Sequence, residues 1–371
     1  MEPKHVHRND AKAELTVRQA CLPRLVGLAR SVGLTAQAAA SVALDALTGG
    51  WADLPVSALP TSDVSADGSP VEFAVTLGPG PASVQLAVEP MVTGTANTFA
   101  ARSAAARATM SRLAHDFDLS TEPWDAVADI FLPRGGGQGH AAMFGVELGR
   151  DDRPLAKVWF YPGVAGPGKA PALIRAGLRR LGSRAAWQAI VRHAPRGFDL
   201  DAPVLFSLDI TEGRPGRTKV YFRHYRTGAA DLVRQLAGYP GFGDGAAAEF
   251  CRALATPPPG TAAQPPVTCL SFHDGAAQAQ DVTLYLPLWT DLPNDEVIRE
   301  RISGLLVSQG LGAGRYDRAL AEVATRPLGR ARGIHNYLSW QPGKPPRMKV
   351  YWSPELHGAN PAPRYAREDL P

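Results

Sequence analysis

Four short segments of the sequence resemble one another, and three of them place a lysine two residues before an aromatic ring. They are Lys157-Val-Trp159, Lys219-Val-Tyr221, Thr283-Leu-Tyr285 and Lys349-Val-Tyr351. Their first residues are separated by 62, 64 and 66 positions, and a fainter copy, Gln85-Leu-Ala87, lies 72 positions before the first. Residues two apart on a β-strand share a face. The near-constant spacing predicts a structural repeat whose strands carry cations and rings on one side.

The cations of these segments are of the kind that binds a diphosphate. Buried like charges persist only where an anion neutralises them, and converging lysine and arginine side chains match the oxygens of a diphosphate. The predicted cluster consists of Lys157, Arg217, Lys219 and Lys349, with Arg347 beside them.

Aromatic rings follow the cations along the same strand faces. The rings are Trp159, Tyr221, Tyr285 and Tyr351. Ring faces stabilise an allylic carbocation through cation–π attraction and exclude water, so the pattern predicts ionisation of an allylic diphosphate such as dimethylallyl diphosphate. An indole that attacks this cation must lose a proton, and Glu72, on the first predicted strand, is the candidate base.

Each copy of the repeat is the second strand of a predicted hairpin. Strand-like runs begin at Val71, Met143, Val204, Thr268 and Ile334, and each is followed by turn residues and then by a copy. Helical periodicity lies between the hairpins, at 98–115, 171–193, 229–255 and 294–324, and also at 11–30 and 35–47.

The fold class that follows is α+β. We expect a ten-stranded antiparallel β-barrel surrounded by helices, built from five repeats of two strands and about two helices. A barrel of this width has a lumen accessible to ligands. We expect one domain over 1–371, with N-terminal helices at about 11–47 and a poorly ordered tail after about 356.

Composition argues against several other classes of protein. The net charge of +4 comes without a long basic run, which argues against a nucleic-acid partner. No apolar stretch is long enough for a membrane span, and the N-terminus lacks the apolar region of a signal peptide. Cys21, Cys251 and Cys269 lie far apart, so neither a disulfide framework nor a zinc site is indicated. We expect a reducing cytoplasm.

From about Trp51 to Trp352 the sequence resembles the dimethylallyltryptophan synthase family of indole prenyltransferases, especially its bacterial members. The resemblance implies the ABBA prenyltransferase barrel, small-molecule substrates, and transfer from dimethylallyl diphosphate to L-tryptophan or a tryptophan-derived compound. The chain has no aspartate-rich metal motif, so we expect Mg²⁺ to be dispensable and no cofactor to be required. The oligomeric state is left open.

The resemblance also implies roles for individual residues. Glu72 corresponds to the family's glutamate that contacts the indole N–H, and 217–221 matches its Arg-x-Lys-x-Tyr diphosphate motif. Lys157 matches a Lys-x-Tyr motif in which Trp159 replaces the tyrosine. The tyrosine shield corresponds to Tyr285, Tyr337 and Tyr351. Two positions depart from the family pattern: Gln85 stands where many members have a diphosphate-binding arginine, and Thr283 where a glutamine is common.

Two other interpretations remain open from the sequence. The segment from Gly163 to Lys169 resembles a nucleotide-binding loop, but Ala170 lacks the hydroxyl that would hold magnesium and Pro167 lacks an N–H. A non-catalytic barrel that binds an anionic or aromatic ligand would share the lining but would not need Glu72. The sequence does not fix the indole atom that is alkylated, the donor carbon that reacts, or the acceptor's form.

Overall fold

The structure is a computed structural model, and it describes residues 14–35, 37–78, 80–94, 97–149, 154–166, 168–211, 215–243, 245–254, 264–273 and 275–362. The N-terminal end of the predicted helix at 11–30, Pro167, residue 255 and the tail beyond 362 lie outside the described residues. None of the helices formed by the described residues is long and apolar enough to cross a membrane.

Ten antiparallel strands form one closed barrel, as predicted. The strands are β1 (Val71–Leu77), β2 (Val84–Val88), β3 (Ala142–Leu148), β4 (Leu155–Phe160), β5 (Asp201–Ile210), β6 (Pro215–His224), β7 (Val267–Phe272), β8 (Asp281–Pro287), β9 (His335–Gln341) and β10 (Arg347–Trp352). Each strand pairs with its neighbours in the sequence, and β1 pairs with β10 from Phe73 opposite Trp352 to Leu77 opposite Met348. This last pairing leaves no open sheet edge.

The apolar face of each strand packs against the helices. Val158, Phe160, Val220 and Phe222 are fully buried on the outside of the barrel. Phe131, on the surrounding helical layer, stacks on Phe160 with ring centroids 4.9 Å apart. The hydrophobic core therefore lies between barrel and helices, and the opposite strand faces are left to line the lumen.

In the described part of the chain the α-helices come in pairs, one pair before the first hairpin and one pair between each two successive hairpins. They are α1 (Val17–Ser31), α2 (Gln37–Thr48), α3 (Phe99–Phe117), α4 (Glu122–Phe131), α5 (Ala170–Arg180), α6 (Trp187–His193), α7 (Ala229–Leu236), α8 (Ala246–Leu254), α9 (Asp295–Ser308) and α10 (Gly314–Val323).

Three of the long predicted helices are each broken into two. The breaks contain glycines with positive φ, such as Gly182 (73°), Gly241 (81°) and Gly310 (74°), a conformation that other residues rarely adopt. Helix α4, which the sequence analysis did not single out, has Pro123 in its first turn and buries Trp124 and Phe131 against the barrel.

Candidate active site

The barrel encloses a cavity of about 1090 Å³. All twelve residues that the sequence analysis proposed for the site line it: Glu72, Gln85, Lys157, Trp159, Arg217, Lys219, Tyr221, Tyr285, Tyr337, Arg347, Lys349 and Tyr351. They come from seven strands, so they meet only because the barrel closes.

The directions of the strands distinguish two ends of the cavity. Odd-numbered strands begin at the end that contains Glu72, which we call the Glu72 end. The hairpin turns lie at the other end, called here the Arg347 end, where β10 begins. Glu147 and Asp209 lie near the last residues of β3 and β5, and Arg217 lies near the start of β6, so charged groups concentrate toward the Arg347 end.

Glu147, which the sequence analysis missed, joins two of the predicted cations. Its Oε2 accepts hydrogen bonds from Lys157 Nζ and from Lys349 Nζ, the latter at 3.1 Å, and its Oε1 accepts from Ser83 Oγ at 2.5 Å. Burial alone would raise the pKa of Glu147, but the two lysines outweigh burial and hold the pKa well below its usual value. Glu147 is therefore an ionised counter-ion inside the lumen.

Asp209 is likewise a counter-ion, and its two partners are Arg217 and Lys219. Arg217 Nε lies 2.7 Å from its Oδ2, and Lys219 Nζ lies 2.6 Å from its Oδ1. Burial opposes ionisation, yet the nearby cations, Lys219 foremost, lower the pKa of Asp209 to about 2. The anion that the sequence analysis required for a buried cation cluster is thus supplied in part by the protein itself.

Gln85 and Arg347 complete this group. The amide oxygen of Gln85 accepts from Lys157 Nζ at 3.1 Å and from Lys349 Nζ at 3.3 Å. Arg347 is exposed at the mouth of the Arg347 end and pairs across the sheet with Gln341. Five cations (Lys157, Arg217, Lys219, Arg347 and Lys349) and two carboxylates leave a net charge of +3 if all are ionised.

Lys349 has a protonation behaviour that is unusual for a lysine. Its side chain is buried, and burial, reinforced by Lys157, lowers its pKa to about 7 despite the opposing attraction of Glu147. The charge of the empty site therefore depends on pH close to neutrality, and an added anion would favour the protonated form of Lys349.

Aromatic side chains form a wall beside the cations. Trp159 Nε1 donates to Tyr221 Oη at 3.1 Å, and the rings of Tyr221 and Tyr285 have centroids 5.9 Å apart. The rings of Tyr285 and Tyr351 follow at 5.8 Å. Burial raises the pKa of Tyr221, Tyr285 and Tyr351, so all three are neutral phenols. Tyr337 also lines the cavity and packs edge-to-face on Trp289 at 5.0 Å.

Glu72 is held at its end of the lumen by Asn336, another residue that sequence reasoning missed. Asn336 Nδ2 donates to Glu72 Oε2 at 2.9 Å and to Ser65 Oγ at 3.2 Å, and Asn336 Oδ1 accepts from the backbone N–H of Ala66. Burial raises the pKa of Glu72 to about 8, although Asn336 and Lys349 oppose the shift. A carboxyl with such a pKa can exchange a proton near neutral pH.

The segment that resembles a nucleotide-binding loop has a different structure. Residues Pro162–Ala165 form one 3₁₀ turn between β4 and α5, at the Glu72 end of the cavity. Strand β4 pairs antiparallel with both β3 and β5, whereas a nucleotide-binding loop follows a strand of a parallel sheet. This geometry does not support the nucleotide-binding interpretation. Among the described residues no group of three or more His, Cys, Asp or Glu side chains could hold a metal ion.

Glu147 and Asp209, the two carboxylates that sequence reasoning missed, carried a signal in their strand positions. Met143, Gly145 and Glu147 alternate along β3, and the register places Gly145 opposite Lys157. Likewise, Asp209 lies directly opposite Lys157. Period-two alternation along the first strand of each of these hairpins places both carboxylates on the lumen face.

Comparisons with known proteins agree with this architecture. The sequence model of the tryptophan dimethylallyltransferase family matches residues 55–319. The solved structure of 5-dimethylallyltryptophan synthase from Streptomyces coelicolor is 30% identical, with a TM-score of 0.83 over 92% of this chain and 98% of that one. The 6-dimethylallyltryptophan synthase from Micromonospora olivasterospora, solved with DMASPP and Trp, is 27% identical, with a TM-score of 0.84 over 94% and 99%.

A third similar structure is the prenyltransferase PriB, solved in a ternary complex with L-tryptophan and dimethylallyl thiolodiphosphate. It is 29% identical, with a TM-score of 0.83 over 96% of this chain and 100% of that one. The fold is therefore that of the aromatic prenyltransferase barrels. The chain belongs to the tryptophan dimethylallyltransferase family, so it is an enzyme, and the interpretation as a non-catalytic barrel is wrong.

Proposed function

We propose that the lumen binds dimethylallyl diphosphate at its cations and L-tryptophan at its Glu72 end, and transfers the dimethylallyl group to the indole ring. The observation that carries this assignment is the arrangement of one cavity, with a cation cluster toward one end, Glu72 at the other and aromatic rings between them. The structures solved with a dimethylallyl diphosphate analogue and tryptophan support the same pair of substrates.

The first step is ionisation of the donor. The bond between the allylic carbon and the bridging oxygen breaks, and its electron pair leaves with the diphosphate. Lys157, Lys219, Lys349, Arg217 and Arg347 neutralise the charge that develops on the leaving group. Glu147 and Asp209 hold four of these side chains in place through the ion pairs already described, so little reorganisation is needed when the diphosphate arrives.

The second step joins the allylic cation to the indole. Trp159, Tyr221, Tyr285 and Tyr351 surround the cation with ring faces, which attract it and exclude water. A ring carbon or nitrogen of the indole supplies the electron pair for the new bond. The indole then loses a proton, and Glu72, whose Oε2 is fixed by Asn336, accepts a proton from the acceptor.

The same proposal assigns no metal ion or cofactor to the reaction. Its support is that the lumen cations already provide the positive charge that a metal would bring to the leaving group. We also assign the enzyme to a reducing cytoplasm, which suits the free thiols of Cys21, Cys251 and Cys269.

Mass spectrometry tests the proposal directly. The protein is incubated with dimethylallyl diphosphate and L-tryptophan, with and without EDTA. We expect a product that has gained one dimethylallyl group and an unchanged rate in EDTA. Loss of turnover in EDTA that added Mg²⁺ restores would overturn the metal-free assignment, and the absence of any prenylated product would overturn the assigned substrates.

A further inference from the structure

Strand β9 carries a β-bulge at the Glu72 end of the barrel, and Asn336 is its extra residue. Tyr337 lies opposite Tyr351 and His335 lies opposite Trp352, so two steps along β9 correspond to one step along β10. A bulge interrupts the regular alternation and re-aims a side chain, and bulges are frequent beside active sites. The side chain of Asn336 is thereby able to reach β1 past the end of β10.

Every polar atom of the Asn336 side chain has a partner. Nδ2 donates to Glu72 Oε2 at 2.9 Å and to Ser65 Oγ at 3.2 Å, and Oδ1 accepts from the N–H of Ala66 at 3.1 Å. Ser65 Oγ in turn donates to the carbonyl of Val71 at 2.6 Å. An exchange of the amide nitrogen and oxygen would place an oxygen against the carboxylate and a nitrogen against the N–H. The amide therefore has one orientation, with a donor toward Glu72.

The two carboxylate oxygens of Glu72 have different surroundings. Oε2 accepts the hydrogen bond from Asn336, whereas Oε1 has no hydrogen-bond partner among the described residues. Glu72 is partly exposed and lines the cavity, so Oε1 is the oxygen left for the acceptor. A hydrogen bond to a carboxylate favours its ionised form, so the same contact opposes the rise in the pKa of Glu72 that burial causes.

The other titratable groups near Glu72 act on it without a printed hydrogen bond to its carboxylate. They are Lys349, Tyr351, Tyr337, Asp63 and His140. Lys349 attracts the carboxylate and also opposes the rise in its pKa, and Tyr351 is a neutral phenol because burial raises its pKa. Asp63 and His140 pair with each other at 3.1 Å. The hydrogen bond from Asn336 is therefore the direct contact that controls this carboxyl.

We propose that Asn336 is a positioning residue for the base of the reaction: it fixes one oxygen of Glu72, directs the other toward the acceptor's proton and favours the ionised carboxyl. Ser65 fixes Asn336 in the same way. This inference rests on the proposed function, because Glu72 is the base of that reaction. Asn336 lies behind Glu72, outside the residues that line the cavity, so its effect on the reaction passes through Glu72.

The test compares Asn336→Ala with wild type in kcat/KM for L-tryptophan between about pH 6 and pH 10. Loss of a hydrogen bond to a charged group raises the pKa of Glu72, and the base must be ionised to accept a proton. We therefore expect the acidic limb of the profile to move to higher pH by about 1–2 units. At about pH 7 kcat/KM should fall by about 10- to 100-fold, and the loss should shrink as the pH rises.

Thr48→Ala is the matched control. Thr48 is buried on α2, and its hydroxyl donates to the carbonyl of Leu44 at 2.6 Å. This variant also loses a buried hydrogen bond, but one outside the lining of the cavity, so its pH profile should follow that of wild type. A shift confined to Asn336→Ala separates control of Glu72 from a general loss of stability.

The Glu72→Gln background shows whether Asn336 acts through Glu72. Because glutamine takes up no proton, Asn336→Ala should add a loss of only about 2- to 3-fold in that background. A loss that recurs there in full, or a loss in Asn336→Ala that is equal at every pH, would mean a structural role and would overturn the inference. Wild-type activity in Asn336→Ala would overturn it as well. If Asn336→Ala does not fold, Ser65→Ala decides: a smaller shift in the same direction supports the inference, and an unmoved profile contradicts it.

Infrared difference spectroscopy measures the protonation of Glu72 without turnover. The band of the protonated carboxyl is identified by its absence in Glu72→Gln, and its titration midpoint should lie higher in Asn336→Ala than in wild type. If wild type prenylates no indole, the proposed function fails, and a shifted midpoint still shows that Asn336 controls Glu72. An unchanged midpoint would overturn the inference even in an active enzyme.

Discussion

Glu147 and Asp209 place negative charge among the cations that we propose bind the diphosphate. Each carboxylate holds two cations at hydrogen-bonding distance, so the lysines and arginine keep their positions while no substrate is bound. Without these carboxylates the cluster would consist of buried like charges, which repel and lose hydration. The ion pairs therefore stabilise the empty enzyme and leave a net positive charge for the donor.

Replacement of Glu147 by glutamine should destabilise the enzyme in a way that an added anion reverses. Lys157 and Lys349 would lose their shared counter-ion, and we expect the free energy of unfolding to fall by roughly 2–4 kcal/mol, somewhat less than for a fully buried pair because Lys349 can give up its proton. Pyrophosphate should raise the Tm of Glu147→Gln more than that of wild type, as measured by thermal denaturation.

The matched control is Glu300→Gln, because Glu300 is exposed on α9 and distant from the lumen. This variant should behave as wild type with and without pyrophosphate. Equal Tm values for Glu147→Gln and wild type under both conditions would show that the carboxylate does not support the cluster.

Lys349 should make diphosphate binding pH-dependent. Its pKa of about 7 in the empty site leaves it largely neutral at pH 8, and a bound diphosphate raises that pKa by attraction. Binding of pyrophosphate at pH 8 should then take up about one proton more than binding to Lys349→Met. Titration calorimetry in buffers with different ionisation enthalpies measures this difference. The same proton uptake by both proteins would mean that Lys349 is already charged.

Some residues of the site could be predicted from the sequence because they recur in its repeat, and others could not because only the folded barrel brings them to the site. Lys157, Lys219 and Lys349 recur at similar spacing, so the repeat itself marked them as a group. Asn336 carries no such mark, because it donates directly to Glu72 across a sequence separation of 264 residues and also to Ser65 in the loop before β1. A contact of that kind follows from barrel closure and from loop conformation, which local patterns do not encode.

The pairing of β3 with β4 shows how neighbouring elements shape the aromatic wall. Gly145 of β3 lies beneath the indole of Trp159 on β4. A Cβ at residue 145 would lie 2.9 Å from Cζ3 and 3.0 Å from Cη2 of Trp159, and 3.2 Å from the carbonyl oxygen of Leu86. The indole of Trp159 can therefore occupy this position because Gly145 has no side chain.

Gly145→Ala should displace the ring of Trp159 and break its hydrogen bond to Tyr221. We expect a loss of about 1–3 kcal/mol in the free energy of unfolding, typical of overpacking, and a higher KM for L-tryptophan. Urea denaturation and steady-state kinetics measure the two effects.

Trp159→Tyr provides the compensating change, because tyrosine lacks the outer indole atoms that meet the new Cβ. Gly145→Ala should be much less harmful in the Trp159→Tyr background than in wild type. Strictly additive losses in the double variant would contradict the proposed contact.

At the level of elements, the strands were predicted better than the helices. Period-two alternation and turn residues located all five hairpins, because the two faces of a barrel strand meet different surroundings. The helical patterns at 171–193, 229–255 and 294–324 each continue across a break, so periodicity alone joined what Gly182, Gly241 and Gly310 separate. Such glycines are helix stop signals, and they end these helices earlier than the periodicity predicts.

In the whole molecule, the hairpins of the sequence repeat close into one barrel that encloses the cavity. Each hairpin contributes a lysine, a ring or a carboxylate, and closure of β1 on β10 brings Glu72 and Lys349 into the same lumen. In the proposed reaction, donor and acceptor occupy opposite ends of the cavity, and the new bond forms at the aromatic wall. The account therefore requires donor binding and proton removal to be separable functions of separate residues.

The measurement that tests this separation most directly is the comparison of Glu72→Gln with wild type. Glutamine keeps an oxygen that can accept the hydrogen bond from Asn336 but cannot take up a proton. We predict that kcat for prenylation of L-tryptophan falls by about 10²- to 10⁴-fold, the usual contribution of a general base, while the affinity for pyrophosphate measured by calorimetry is unchanged. Full activity in Glu72→Gln, or a parallel loss of pyrophosphate binding, would contradict the account.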